Sequence, residues 1–398
     1  MNNYDFDKLP ERVKGSVKWE MPSLMFKGAD KDALPFWIAD MEFPLAKSII
    51  NALHKRVDAE LFGYSYHNRE ELLIAITGWY KSEFNWEIDQ SDIFYSNGIV
   101  PAINYCIEMF TNVNDGVIIM QPVYYPFINS INNHRRRIID CSLIMSDGKY
   151  FIDFDLLEKQ AREKTNKLLI LCSPHNPIGR VWTREELRRI SEICYRNSVV
   201  LISDEIHCDI RRSGAAHIPT ILAGEEYKDN IITCTSVSKT FNLAGMQFSN
   251  IIITNPIYKK LWVDYTFNNF DLRFINPLSS TAVEAAYTGG REWLTEVLTY
   301  LDDNFKYVEN FIKENLPDCK YTIPDATYFA WIDVSKYSID DEIEQRIYEE
   351  SKILVENGLQ FGTEGRGFIR MNIACPRVML AQGLQGLAKA LINIRGRK

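Results

Sequence analysis

One lysine, Lys239, lies directly after a short apolar run, in the stretch "TSVSKTFNLAGMQ" (235–247), among hydroxyls, glycine and apolar residues. A lysine that only solubilises a surface does not need such neighbours, and a hydrophobic core excludes an unpaired ammonium group. An amine in this setting can act as a nucleophile and form a Schiff base with a carbonyl compound. Because lone lysines are usually solvent-exposed, other residues have to decide between the two interpretations.

Further polar residues supply what an aldehyde cofactor with a ring nitrogen and a phosphate would need. Asp204 follows the apolar run "VVLIS" and could keep a pyridine nitrogen protonated, while Asn176 in "PHNPIG" could donate to a phenolic oxygen. A phosphate could bind the helix start predicted in "NGIVPAI" (97–103) and the hydroxyls of Ser236 and Ser238. Each signal is weak alone, since aspartate after a strand and Asn-Pro turns are common. Together they favour pyridoxal 5'-phosphate.

The elements that must position these residues are short apolar runs. Six runs have strand length: "DIFYS" (92–96), "VIIMQ" (117–121), "LLILCS" (168–173), "VVLISD" (199–204), "IITCTS" (231–236) and "NIIIT" (250–254). They are continuously apolar, which is typical of strands buried on both faces in a parallel sheet covered by helices. Between two of them, "TREELRRISEICYRN" (183–197) begins with a capping-box pattern, Thr183 and Glu186. We therefore predict an α/β fold with a mostly parallel central sheet, whose ligands bind at the carboxyl ends of the strands.

The two ends of the chain differ from this middle part. Residues 1–45 are irregular and contain several prolines, whereas a long helical pattern begins near residue 290 and strand-like "YFAWIDV" (328–334) follows. We predict a large cofactor-binding domain over 46–288. A smaller α+β domain would combine 1–45 with 289–398.

Composition excludes several classes of function. The net charge of −8 over 398 residues argues against a general nucleic-acid binder. No apolar stretch approaches the roughly 20 residues that span a membrane, and the polar start is not typical of a signal peptide. The eight cysteines form no C-x-x-C pair, which argues against a zinc site and favours buried thiols in a reducing compartment. We expect a cytoplasmic protein that binds no metal.

The order and spacing of eight motifs identify a family that the chain resembles. They are "FWIADMEFPLA" (36–46), "LFGYSYH" (61–67), "QPVYYPF" (121–127), "PHNPIGRVW" (174–182), "SDEIHCDI" (203–210), "SVSKTFNLAG" (236–245), "PDATYFAWID" (324–333) and "GFIRMNIACPR" (367–377). From about residue 30 to the end, the chain resembles the PatB/MalY-type cystathionine β-lyases, or C–S lyases. These are fold-type I pyridoxal-phosphate enzymes of the class I/II aminotransferase superfamily.

The resemblance implies a set of cofactor contacts. Lys239 would form the Schiff base, Asp204 would pair with the ring nitrogen and Asn176 with the phenolic oxygen. Tyr124 would stack on the ring and His207 would lie near the phenolic oxygen. Phosphate ligands would be Gly98, Ile99 and Val100 through their backbones, Ser236 and Ser238 through their hydroxyls, and Tyr64 from the neighbouring subunit of a homodimer.

The resemblance also implies a substrate and a reaction. Arg370 would bind the α-carboxylate of an amino acid as a bidentate partner, and Ala39 would line the substrate site. L-Cystathionine, L-cysteine or related S-substituted cysteines would undergo α,β-elimination to a thiol, pyruvate and ammonia. Residue types alone leave an aminotransferase as the alternative. They also leave Arg366 and Arg377 as rivals of Arg370, and Tyr66 as a rival of Tyr64.

One position departs from many aminotransferases of this superfamily. Gln247 stands where they carry an arginine on the phosphate, eight residues after the lysine. The lyase branch commonly has a neutral residue there, so the departure favours the lyase and leaves the phosphate affinity open.

Overall fold

A seven-stranded mixed sheet forms the centre of the computed structural model, which describes residues 4–9 and 11–396. Across the sheet, the strands are Ile93–Ser96, Ser249–Ile253, Ile231–Thr235, Val200–Asp204, Asn166–Cys172, Gly116–Ile119 and Arg137–Asp140. Ser249–Ile253 is antiparallel to both of its neighbours, and the other neighbouring pairs are parallel. All six predicted runs are strands of this sheet. The predicted α/β class with a mostly parallel sheet is confirmed.

Helices cover both faces of the sheet, which explains why its inner strands are mostly apolar. In the strand Asn166–Cys172, Leu168 and Ile170 pack into one core cluster and Leu169 and Leu171 into another on the opposite face. The longer helices of this part are Lys47–Asp58, Glu70–Phe84, Ile99–Phe110, Tyr125–Asn133, Phe154–Arg162, Arg184–Asn197, Pro256–Phe270 and Pro277–Gly289.

The predicted capping box at the start of the helix Arg184–Asn197 is confirmed. The Thr183 side chain accepts from the Glu186 backbone N–H, and the Glu186 side chain accepts from the Thr183 backbone N–H. These two bonds satisfy two donors that the first turn of a helix leaves without a partner.

The C-terminal part builds a second, antiparallel sheet. Its strands, in spatial order, are Lys320–Tyr321, Phe329–Asp333, Phe368–Asn372 and Glu356–Asn357. The helices Arg291–Asn315, Ile343–Ser351 and Arg377–Gly396 pack on it. From the N-terminal segment, Leu34–Pro35 pairs with Ile353–Leu354, and Phe36 enters the same core.

The predicted domain boundaries stay a prediction. One core cluster combines Phe6 and Phe43 with Trp79, Trp293 and Phe329, so apolar packing runs continuously across residues 45 and 289.

Short elements complete the described chain. They are the helices Val17–Glu20, Thr220–Ala223 and Val237–Thr240, the paired strands Ser65–Tyr66 and Phe274–Ile275, the hairpin Ile144–Ser146 with Lys149–Phe151, and the 3-10 turns Pro22–Leu24, Gln90–Asp92, Glu225–Asn230, Ala244–Met246, Gly358–Phe361 and Thr363–Gly365. No helix in the described residues is both long enough and apolar enough to cross a membrane.

Candidate active site

A cavity of about 180 Å³ lies at the carboxyl ends of the central strands. Ten of the predicted site residues line it: Ala39, Gly98, Ile99, Val100, Tyr124, Asn176, Asp204, His207, Ser238 and Lys239. They come together because each of the strands ending at Ser96, Cys172, Asp204 and Thr235 delivers its next residues to the same edge of the sheet. These side chains therefore converge at the carboxyl ends of the strands, where the sequence predicted a ligand site.

Lys239 is half-buried on the short helix Val237–Thr240, and its amine points to the N-terminal segment. Its Nζ donates to the carbonyl oxygen of Ala39 at 3.0 Å, and the Tyr328 hydroxyl donates to the same oxygen at 2.8 Å. Burial lowers the pKa of Lys239, and the positive charge of Arg370 lowers it further, although nearby carboxylates oppose the shift. The neutral, nucleophilic amine is therefore easier to reach than in a surface lysine.

Asp204 is buried at the end of the strand Val200–Asp204, and its Oδ1 accepts from the Ile206 backbone N–H at 3.1 Å. Burial raises the pKa of Asp204 from 3.8 to about 7, and Glu205 raises it too, while Lys239 opposes the rise. A positively charged donor beside this carboxylate would favour its ionised form. The side chain therefore fits a protonated pyridine nitrogen.

Asn176 links the cavity to Arg370. The Asn176 Oδ1 accepts from Arg370 Nη1 at 2.8 Å, so the amide nitrogen of Asn176 is the group left to donate to a phenolic oxygen. Arg370 is buried, and its Nε and Nη2 both donate to Oε2 of Glu356. Burial raises the pKa of Glu356, and Arg370 opposes that rise.

The two rival arginines have other surroundings. Arg366 is exposed and pairs with Asp341 at 2.8 Å, whereas Arg377 donates to Asn304 Oδ1 at 2.8 Å. Of the three arginines, Arg370 is the one whose guanidinium is bonded to a residue of the cavity.

The start of the helix Ile99–Phe110 forms one end of the cavity. Gly98 precedes this helix at φ 143°, and the N–H groups of a first turn have no acceptor within the helix. The helix dipole adds partial positive charge there. A Cβ atom on Gly98 would lie 3.2 Å from Cδ of Pro101, so the close turn requires glycine. This end fits a phosphate group.

The two predicted phosphate serines differ in position. Ser238 lines the cavity, whereas Ser236 is buried behind it and does not. The Ser236 hydroxyl donates to the carbonyl oxygen of Phe248 at 2.6 Å and lies 2.7 Å from the Ser238 hydroxyl. Within the chain, Ser236 therefore contacts the hydroxyl that faces the cavity.

Tyr124 and His207 present uncharged rings to the cavity. Burial raises the pKa of Tyr124, which keeps its phenol protonated. Burial, with Lys239 and Arg370, lowers the pKa of His207 far below its ordinary value, so its imidazole is neutral. The Nδ1 of His207 is buried and has no hydrogen-bond partner within residues 4–9 and 11–396, which leaves a polar atom for a ligand.

Tyr64 lies outside the cavity of its own chain. Its side chain is 90% exposed and contacts the ring of Phe274, with ring centroids 5.0 Å apart. Tyr66 is also exposed and contacts the same ring at 5.5 Å. The predicted role of Tyr64 therefore depends on a second subunit.

Several cavity residues were not named individually as site residues, although Asn97 and Pro101 lie in the stretch 97–103 predicted to bind phosphate and Gln247 was noted as a departure. These are Asn97, Pro101, Cys172, Ile206, Ala244, Gln247 and Ser249. Most of them directly follow or flank the predicted strand ends, so the strand-end rule could have found them. Glu356 had no such signal, because cross-strand pairing places it beside Arg370. The described residues contain no cluster of three or more His, Cys, Asp or Glu that could hold a metal ion.

Comparison with known proteins gives consistent matches over nearly the whole chain. The family model "Aminotransferase class I and II" matches residues 36–387. Cystathionine β-lyase PatB of Bacillus subtilis is 37% identical, over 97% of this chain and 100% of that protein. Protein MalY of Escherichia coli is 33% identical, over 98% and 100%. The pyridoxal-phosphate-bound C–S lyase from Staphylococcus hominis superposes with a TM-score of 0.93 at 37% identity, covering 98% of each chain.

Proposed function

The chain belongs to the class I and II aminotransferase family, and we propose that it is a pyridoxal-phosphate-dependent carbon–sulfur β-lyase. The similarity to PatB and MalY confirms the resemblance found in the sequence, and the fold is that of fold-type I enzymes. The observation that carries the proposal is one cavity in which a half-buried lysine, Lys239, faces a buried carboxylate, Asp204, beside a helix N-terminus.

The residues of the cavity fit the parts of the cofactor. Asp204 would hold the ring nitrogen, Asn176 the phenolic oxygen, and the first turn of Ile99–Phe110 with Ser238 the phosphate. Tyr124 would stack on the ring, and the free Nδ1 of His207 supplies a further polar contact. When bound, pyridoxal phosphate supplies an aldehyde for amines and a ring that accepts electrons from a carbon–hydrogen bond.

The chain's own residues supply binding and proton transfer. Arg370 holds the substrate α-carboxylate and thereby fixes Cα near Lys239. The Lys239 amine, whose pKa burial lowers, removes the proton from Cα as a general base. Asp204 in its ionised form keeps a proton on the ring nitrogen. The overall reaction cleaves the Cβ–S bond, takes up one water molecule and yields a thiol, pyruvate and ammonia.

The proposed substrates are L-cysteine and S-substituted cysteines such as L-cystathionine. The test is to incubate the enzyme with L-cystathionine and no keto acid, and to measure free thiol and pyruvate. An aminotransferase needs an amino acceptor and releases no thiol under these conditions. Absence of thiol from every S-substituted cysteine tried would refute the proposal.

Lys239→Ala tests the role of the amine. We expect loss of the visible absorption of the bound cofactor and a fall in thiol release of at least roughly a thousandfold. Lys260→Ala is the matched control, because Lys260 is exposed and pairs with Asp264 on its own helix. A Lys239→Ala protein that keeps its turnover would contradict the assignment.

The enzyme is proposed to act as a cytoplasmic homodimer in which Tyr64 reaches the phosphate of the neighbouring subunit. The exposure of Tyr64 beside exposed Phe62 and Leu61 supports such a contact. Mixing inactive Tyr64→Ala and Lys239→Ala subunits tests it. If Tyr64 acts across subunits, each mixed dimer regains one complete site. If Tyr64 serves its own subunit, mixing restores nothing.

A further inference from the structure

Glu356 and Arg370 are direct partners across two strands of the C-terminal sheet. The register of Glu356–Asn357 against Phe368–Asn372 pairs these two residues, so their side chains leave the same face of the sheet side by side. Both side chains are buried, with 4% and 3% of their surfaces exposed. A buried ion pair at this position calls for a role, because apolar side chains of similar volume are often at least as stabilising.

The contacts of Arg370 divide its guanidinium into an occupied edge and an open one. The Nε and Nη2 atoms donate to Oε2 of Glu356, and Nη1 donates to Oδ1 of Asn176. The Nη2 atom also makes a long contact of 3.5 Å to the carbonyl oxygen of Trp37. The guanidinium carbon lies 4.0 Å from the ring centroid of Phe329 and 4.7 Å from that of Phe361. A guanidinium has five N–H donors, so one donor on Nη1 is without a partner here, and the second donor on Nη2 has only the long contact to Trp37. A carboxylate that replaces the Trp37 contact could bind these two donors as a pair.

We propose that Glu356 is a positioning residue that holds Arg370 with its Nη1 and Nη2 donors presented to the α-carboxylate of the substrate. The inference rests on the proposed function of the same site. Glu356 fixes the rotation of the guanidinium in its plane, and the two rings fix the plane itself. Substrate recognition then depends on the fork geometry of the arginine as well as on its charge.

Removing the charge of Glu356 has two opposite effects on substrate binding. It releases the repulsion between Glu356 and an incoming carboxylate, and it frees the guanidinium to turn. The binding of a spherical anion such as chloride depends on the change in charge but not on the orientation of the guanidinium group. The ratio of the Michaelis constant for an amino acid substrate to the inhibition constant for chloride therefore isolates the positioning effect.

The experiment uses the holoenzyme with S-ethyl-L-cysteine as substrate and chloride as competitor. For Glu356→Gln we expect this ratio to rise at least roughly tenfold, the factor carried by one hydrogen bond to a charged group. For Glu356→Asp, which keeps the charge but withdraws the oxygen, we expect the ratio to rise while the chloride constant stays the same. The turnover number should change less than the Michaelis constant in both variants.

A matched control is Asp302→Asn. Asp302 pairs with Arg212 at 3.2 Å, and that arginine also packs on a phenylalanine, Phe305, at 4.5 Å. This pair lies outside the cavity, so we expect neither constant to change. Ratios within twofold of wild type in both Glu356 variants, at unchanged cofactor content, would overturn the proposal.

The outcome is separable from failure of the proposed function. If the wild-type enzyme releases no thiol, the lyase proposal fails. Binding of L-alanine, which has no β leaving group, is then measured calorimetrically against chloride in the same variants. The quantity compared is the dissociation constant of L-alanine divided by that of chloride. If this ratio rises in Glu356→Gln and Glu356→Asp, the role of Glu356 is upheld, and an unchanged ratio refutes it.

Discussion

Asp204→Asn should raise the free energy of unfolding of the cofactor-free protein. With the cofactor bound, the same substitution should lower the free energy of unfolding. Burial raises the pKa of the Asp204 carboxyl group from 3.8 to about 7. The folded state therefore holds this proton more tightly than the unfolded state, and ionisation opposes folding as the pH rises from about 3.8 to about 7. At about 1.4 kcal/mol for each pH unit, the cost is about 4 kcal/mol above pH 7 and about 2 kcal/mol at pH 5.5.

Asparagine removes this cost and keeps the local hydrogen bond. Its Oδ1 can still accept from the Ile206 backbone N–H, as Asp204 Oδ1 does at 3.1 Å. For 398 residues the entropy of unfolding is roughly 0.8 kcal/mol per kelvin, so about 4 kcal/mol raises the melting temperature by about 5 °C. The gain should fall to about half near pH 5.5.

The assay is thermal and urea unfolding of cofactor-free protein at about pH 8.5 and pH 5.5, at one protein concentration. The control Asp155→Asn changes an exposed carboxylate in the first turn of the helix Phe154–Arg162 and should shift stability by less than about 1 kcal/mol. With saturating pyridoxal phosphate the order should reverse, because ligand binding stabilises wild type more. A cofactor-free Asp204→Asn protein less stable than wild type at pH 8.5 would refute the reasoning, as would a gain independent of pH.

Three further substitutions have definite expectations. Arg370→Lys should raise the Michaelis constant at least roughly tenfold and the turnover number much less, because lysine cannot form the paired hydrogen bonds; equal loss in both constants would contradict this. Gly98→Ala should weaken cofactor binding in an equilibrium titration, since φ is 143° and its Cβ would lie 3.2 Å from Pro101; unchanged affinity would remove Gly98 from the phosphate site. Burial lowers the pKa of His175 to about 4, so its contribution to stability is lost as the pH falls from about 6.5 to 4. His175→Gln, which can still donate to the Pro122 carbonyl, should reduce that loss in unfolding experiments at both pH values.

The strands were predictable because burial on both faces requires a continuous run of apolar residues in the sequence. The run 168–173 is apolar at every position from Leu168 to Cys172, since successive side chains enter cores on opposite faces. The strand Arg137–Asp140 escaped prediction because it lies at the sheet edge, half-exposed, and has charged residues at both ends. The antiparallel direction of Ser249–Ile253 leaves no mark in periodicity, because a strand buried on both faces is apolar in either direction.

The candidate site also contains residues that the sequence predicts and residues that it does not. Asp204, Asn176 and Lys239 follow predicted strands, and parallel strands bring such residues to one edge. Glu356 precedes Arg370 by 14 residues and lies in the short strand Glu356–Asn357. Its position beside Arg370 therefore depends on the register of two strands in the C-terminal sheet. Residue type and order do not give that register. The position of Tyr64 depends on a second subunit, which a single sequence does not specify.

Burial shifts three ionisable groups around the cavity towards their neutral forms. The pKa of Lys239 is lowered, and those of Asp204 and Glu356 are raised, with burial as the largest cause in each case. Apolar side chains in these places would make a more stable fold, because buried charges lose their hydration. Arg370 of the same chain compensates the charge of Glu356. For Asp204 and Lys239, the compensating interactions must come from what binds in the cavity. A cationic ring nitrogen restores the preference of Asp204 for its charged form, and a carboxylate satisfies the open edge of Arg370. The stability of this protein and the occupancy of its cavity should therefore rise and fall together, and for that reason Asp204→Asn is expected to change the sign of its effect when the cofactor is added.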